Sequence, residues 1–469
     1  MQNTSIQNEI TRRELLGTVG RGSGSLLTAG LLTELFNMDK CVKAADTIES
    51  HHAPRAKNVI FLYMSGGVSH VDTFDPKPQL AKDHGKTMVP DGEREFSGQT
   101  VYFQKAHWNF QRYGQCGMPV SELFPHIGSC ADDICLIRSM RTSHINHYES
   151  ALGIHTGSFS VTRPSIGSWL SYGLGTENQS LPAVVVLCPS LPYAGTQLWT
   201  ADFLPAFHQG TRVIPGEEPV ANLRPTDPAD LQSLELQRLA AMNRRHLVQR
   251  HDDPAGLGAR IKSFETAFRM QIAAPEVFDL AGESSATLDQ YGLEPGSTQG
   301  FAWQCLVARR LVERGVRFVE LIDSGSNRNW DSHGNMQDHV PRAKDVDKPI
   351  AGLLRDLKAR GLLEDTLVVW TTEFGRPPYD SSAQGKGRGH QHACFSSWLA
   401  GAGVKPGMIY GATDPHGLSV QDNEVHVHDF HATILHLMGL DHTRLTYRHA
   451  GRDFRLTDVA GNVIQPVLA

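Results

Sequence analysis

Residues 57–67, KNVIFLYMSGG, decide how this chain is read. Six apolar side chains in a row, Val59 to Met64, stop abruptly at Ser65-Gly66-Gly67. An unbroken apolar run closed by turn residues suits a strand buried on both faces, as in a parallel sheet, and not a half-solvated strand with alternating polarity. The same pattern returns in LPAVVVLCPS (181–190), VRFVELIDSG (316–325), DTLVVWTTEFG (365–375) and CFSSWLAGAGV (394–404). Between these runs, apolar residues recur at helical spacing over 230–274, 298–315 and 345–361, the last two segments closing on glycine. The alternation predicts an α/β fold: a doubly wound, mostly parallel sheet with helices on both faces. Residues 82–120 lack periodicity and 205–230 are proline-rich, so loop insertions are expected near 82–120 and 205–275. Ligands in such sheets collect at the carboxyl ends of the strands.

Composition narrows the class. The 469 residues are 40% hydrophobic and 20% charged, with a net charge of −6 and no long basic block. This describes an ordinary globular protein and gives no sign of a nucleic-acid partner. The 23 histidines stand out, gathered at 51–52, 144–155, 333–339, 390–392 and 426–436. Clustered imidazoles suit metal ligation. The seven cysteines form no CxxC; Cys130 and Cys135 are close enough to pair, but most of the set reads as small buried hydrophobes.

The N-terminal segment TRRELLGTVGRGSGSLLTAGLLTELF places Arg12-Arg13 before a glycine-rich, weakly apolar stretch broken by Arg21, and CVKAA follows as a candidate cleavage site. It resembles a twin-arginine export signal over 1–45, read by the twin-arginine machinery, ahead of one domain over 55–465. No other run is long and apolar enough for a membrane span, so the expected location is the periplasm or surface of a bacterium, with no integral span after cleavage.

Four segments place acids or imidazoles just beyond a predicted strand. SGGVSHVDTFDPKP (65–78) brings His70 and Asp72, DSGSNRNWDSHGN (323–335) brings Asp331 and His333, TTEFGRPP brings Glu373, and GRGHQHAC brings His390 and His392. Carboxylate oxygen with imidazole nitrogen suits a divalent ion such as zinc, manganese or iron. Two such ions would clamp an in-line displacement at phosphorus or sulfur. Arg376, three residues after Glu373, either holds an oxyanion or pairs with a carboxylate; the sequence leaves both open.

The motifs GGVSHVDTFDPKP, NHYESALGIHTG, RPSIGSWLSYGLG, WDSHG, TTEFGRPP, GRGHQHACFSSWLAGAGVKPGMIYGATD and VHVHDFHATILHLMGLDHTRLTYRHAGRDFRLTD resemble an exported family of uncharacterised activity, domain of unknown function 1501. That family is similar to the alkaline-phosphatase-like and sulfatase-like superfamily, so the resemblance implies an alkaline-phosphatase-like sheet. It further implies one or two divalent ions (zinc, manganese, calcium or iron) and a phosphate or sulfate ester substrate, small or borne on a polysaccharide. On this comparison Glu373 takes the place of a metal-binding Asp, and His390 or His392 that of a metal-binding His. WDSHG resembles a shortened Asp–His metal pair, and Asp429 in the closing helix reads as a cap.

Two departures go with the resemblance. Ser65 and Gly66 stand where the first-strand metal Asp is expected, leaving Asp72 and His70 as substitutes only if a loop folds back. His147 stands nine residues before Thr156-Gly157, where a hydroxyl or thiol nucleophile is expected, with Ser143 and Ser150 as nearby hydroxyls. His147 is then a nitrogen nucleophile, a general base or a metal ligand. The rival expectation is a non-catalytic exported binding or cell-surface protein that keeps the fold.

Overall fold

The computed structural model describes residues 50–223, 228–248 and 257–469. The run that opens the sequence becomes β1 (Asn58–Tyr63), buried along its whole length. Around it stand β2 (Ile134–Arg141), β3 (Val184–Leu187), β4 (Thr211–Val213), β5 (Phe318–Ile322), β6 (Thr366–Thr371), β7 (Phe395–Ala400), β8 (Met408–Tyr410) and β9 (Val425–His426). They form one nine-stranded sheet in the order β8-β2-β7-β6-β1-β5-β3-β4, with β9 also on β2. All pairings are parallel except those of β7, which runs against both β6 and β2.

Alternation along each strand divides the core in two. Ile60, Leu62, Val185, Leu187, Val319, Leu321, Val368 and Trp370 face one apolar cluster. Val59, Phe61, Val184, Val186, Phe318, Ile322, Leu367 and Val369 face the other. The first face is covered by α5 (Gly300–Glu313) and α6 (His339–Ala359), and the second by α1 (His147–Thr156), α2 (Ile166–Leu174) and α7 (Val427–Leu437). Burial on both faces explains why these strands read as continuous apolar runs. The helical pair expected over 230–274 is α3 (Ala229–Val248) and α4 (Leu257–Phe278).

All five expected strands are present, and the helices end at the expected glycines: Gly315 and Gly361 take positive φ just past α5 and α6. The sequence did not reveal β2, because Arg138 and Ser139 interrupt its apolar run. Residues 82–120 are more ordered than expected. Thr87–Met88 and Val101–Phe103 join Tyr379–Asp380 in a small sheet, and Phe110–Tyr113 pairs with Met118–Ser121. The six described cysteines are free; Cys130 and Cys135 face opposite cores. The expected export signal lies outside the described residues.

Candidate metal centre

Strand direction brings the site together. β1, β2, β5 and β6 all end at one edge of the sheet, so the turns after them share that edge. Because β7 is antiparallel, it enters from that edge, and the segment before it delivers His390 there. His147 begins α1 a few residues after β2, while Asp331 and His333 lie in the loop after β5.

One ligand atom from each of His147, Asp331, His333 and His390 lies within 4.8 Å of all the others. Asp331 Oδ1 is 2.9 Å from His333 Nε2 and 3.4 Å from His390 Nε2, and Asp331 Oδ2 is 3.2 Å from His147 Nε2. The two imidazole nitrogens of His333 and His390 face each other at 2.9 Å. Two such nitrogens can share at most one proton between them, whereas a cation placed among them would satisfy both lone pairs. His147 Nε2 is buried and lacks a well-directed hydrogen bond. Three imidazole nitrogens and one carboxylate oxygen form a donor set that fits a borderline divalent ion. The opening is on the His333 side, where the side chain is 44% exposed.

Glu373, two residues past β6, stands behind this group and not in it. Its Oε1 accepts from His147 Nδ1 (2.7 Å) and the Gly66 N–H (2.8 Å), and its Oε2 accepts from the Tyr63 hydroxyl (3.0 Å). Burial pushes the Glu373 carboxyl up, but the bond and charge of His147 outweigh it and the net shift is downward. Conversely, burial alone would lower the His147 imidazole, and the carboxylates of Asp331 and Glu373 beside it raise it overall. A carboxylate on the far nitrogen of a ligating histidine fixes its tautomer and ring orientation. Tyr193 stacks on the His147 ring at 4.1 Å, and Phe374 packs against it at 4.7 Å.

Arg376 is fully buried, and its five N–H groups are all committed. Nε donates to the Gly67 carbonyl (2.8 Å), Nη1 to the Arg388 and Gly389 carbonyls, and Nη2 to the Gly66 carbonyl and Asp331 Oδ1 (2.6 Å). It therefore anchors Asp331 and the Gly66-Gly67 turn and has no donor left for a substrate anion. Burial raises the Asp331 carboxyl, but the three imidazoles beside it and the Arg376 charge hold it far below the usual range. The turn requires glycine: Gly66 and Gly67 have φ of 109° and 79°, and a Cβ on either would sit 2.7 Å from Asn329 or Phe374.

The remaining expected residues lie elsewhere. Asp72 is buried against Arg388 (2.7 Å) and accepts from the Ser69 hydroxyl (2.5 Å) and the His107 N–H (2.8 Å). His70 lies against the Gly417 carbonyl at 3.0 Å. The loop after β1 does not fold back, and neither side chain joins the group. His392, also outside it, has its carbonyl on the Thr142 N–H. The hydroxyls of Ser143 and Ser150 are taken up by His426 (2.8 Å) and the His144 carbonyl (2.7 Å). Asp429 caps α7 by accepting from the His426 N–H.

Sequence reasoning missed Asp323, which ends the β5 run in VELIDSG. It accepts from the Ser65 and Ser324 N–H groups and from Trp330 Nε1 (2.6 Å), so it ties the loop bearing Asp331 to the β1 turn. Burial raises it to about 6. Its position at a strand end was a signal of the same kind as those used. Glu95 was also missed; it accepts from the His390 N–H and brings the 82–120 segment over the site.

The chain belongs to the family described as "Protein of unknown function (DUF1501)", which matches residues 56–468. No curated protein matches it. Among solved structures it is similar to the lipoteichoic acid synthase LtaP from Listeria monocytogenes, at 9% identity and a TM-score of 0.36, over 90% of this chain and 80% of that one. It is also similar to the PsFucS1 sulfatase from Pseudoalteromonas sp., at 14% identity and a TM-score of 0.33, over 88% and 71%. A third is the alkaline phosphatase from the Antarctic bacterium TAB5, at 12% identity and a TM-score of 0.31, over 76% and 94%. These overlaps are too loose to transfer an activity.

Proposed function

We propose that this protein is an exported, metal-dependent hydrolase of a phosphate or sulfate ester. The observation that carries the reading is the convergence of His147, Asp331, His333 and His390 at the ligand-binding edge of the sheet. A divalent ion held there supplies Lewis acidity toward a phosphoryl or sulfuryl oxygen. Among the described residues this is the one such group, which favours one ion over two. With Nδ1–H committed to Glu373, His147 directs Nε2 toward the centre, as a ligand or as the base or nucleophile of the reaction. Arg376 contributes by fixing Asp331, and the ester enters past His333. On the sequence resemblance, the ester is small or borne on a polysaccharide. The twin-arginine motif at Arg12-Arg13 supports export.

The rival reading, a metal-binding exported protein without catalysis, is favoured by one observation: the converging group of His147, Asp331, His333 and His390 includes no hydroxyl or thiol to attack. Turnover decides between the two. Zinc- or manganese-loaded protein is assayed against aryl phosphate, phosphonate and sulfate esters, beside Asp331→Ala and His147→Ala. Hydrolysis of one class, lost in both variants, supports the hydrolase. Metal bound without turnover of any class supports the rival, and full turnover by His147→Ala removes that residue from the reaction.

A further inference from the structure

Helix α3 is unusual among the long helices. None of its described side chains is buried, whereas α5 and α6 each bury a continuous face against the sheet. It is joined to α4 by a Gln232–Gln271 hydrogen bond of 2.9 Å. A helix in water is held chiefly by packing of an apolar face, so one whose described side chains all stay unburied is incomplete as it stands.

The uncovered face is apolar at its ends and charged at its middle. Leu231, Leu234, Leu239 and Met242 are 43–59% exposed. With Glu235 and Arg238 they fall within about 140° of the helix circumference. The antiparallel α4 adds Phe264, 64% exposed, roughly level with Leu239.

We propose that this face is covered by the same face of a second copy of the chain. The order of residues is self-complementary. If α3 packs antiparallel on its own copy about a twofold axis between Leu236 and Gln237, Leu231 meets Met242, Leu234 meets Leu239, and Glu235 meets Arg238. Each contact occurs twice, as an isologous interface requires. Apolar pairs flank a central pair of opposite charges, and no like charges are opposed among these six positions. A shift of register by one turn breaks that match. The contact spans about 16 Å of helix on each copy, which places it at the small end of stable interfaces and predicts a reversible dimer.

The test uses the full chain and its charge-reversal variants in sedimentation velocity and light scattering, from about 1 µM to about 200 µM. Glu235 and Arg238 are on the surface, so the variants keep the fold, which circular dichroism checks. Wild type dimerises. Glu235→Arg and Arg238→Glu each weaken self-association about tenfold or more, because every repulsion is counted twice. The doubly reversed variant regains the dimer, and an equimolar mixture of the two single variants forms heterodimers where neither forms homodimers. Leu234→Lys is monomeric. Wild type that remains monomeric at the highest concentration overturns the proposal. So does a dimer indifferent to both charge reversals, which places its interface elsewhere. Monomeric wild type that sediments with anionic phosphatidylglycerol vesicles overturns it in favour of a lipid surface.

Discussion

Two regions beside the same sheet edge contain nearly the same residues. One joins Asp331 to Arg376, His147, His333 and His390; the other joins Asp72 to Arg388, the Ser69 hydroxyl and the His107 backbone N–H, with His339 on the Ser69 N–H. Each has a fully buried guanidinium on a carboxylate. They differ in closure. Asp72 is completely buried and both its oxygens are filled, while Arg388 spends its other donors on the carbonyls of Gln104, Lys105 and Pro377. Asp331 remains 22% exposed, and beside it the ring nitrogens of His333 and His390 face each other at 2.9 Å with room for one proton at most. A closed network of acid, arginine and histidine holds the fold; the same residues left open at a strand edge make a binding site.

The largest effect is expected from breaking the closed region. Arg388→Met leaves Asp72 buried without a counter-charge and should cost about 3–5 kcal/mol in chemical denaturation. The open region should respond in the opposite sense. His333→Ala, at a half-exposed position, should change stability by no more than about 0.5 kcal/mol yet weaken zinc binding about a hundredfold or more in competition titrations. Glu373→Gln keeps every ligand and loosens the orientation of His147. It should cost about 10- to 100-fold in metal affinity, and an unchanged affinity would remove Glu373 from the centre.

The smallest effect is in the pH dependence of stability. Burial holds His339 and His431 down to about 3, so both are neutral in the folded chain. His339 accepts from the Ser69 N–H at Nε2 and contacts Ser332 at Nδ1, linking the two regions. Between the ordinary value of 6.5 and about 3 the unfolded chain binds more protons. The stabilisation is therefore whole above 6.5 and is lost as pH falls through that window, by about 1 kcal/mol per group at pH 6. Denaturation midpoints from pH 7.5 to pH 5.5 measure it, and His339→Gln should flatten the curve.

The sequence made the strands legible because burial on both faces leaves them unbroken, and it made the edge legible because ligand-bearing residues follow each run. Asp331, His333 and His390 come to that edge as expected. What it could not show is which polar groups would be enclosed. Asp72 and Asp331 look alike as letters after a strand. Only the arrival of residues 104–107 over Asp72, from a segment with no periodicity, closes one and leaves the other open. Arg376 poses the same problem: four carbonyls from distant segments consume its donors, and no local pattern announces them.

The central claim is tested most directly by counting metal. Purified protein exposed to zinc or manganese, desalted and submitted to elemental analysis, should hold about one ion per chain, as a four-ligand site requires. His390→Ala and Asp331→Ala should fall below about 0.2, while Asp72→Asn, so far as it folds, should match wild type. Wild type without bound metal, or metal indifferent to His390 and Asp331, would contradict the account.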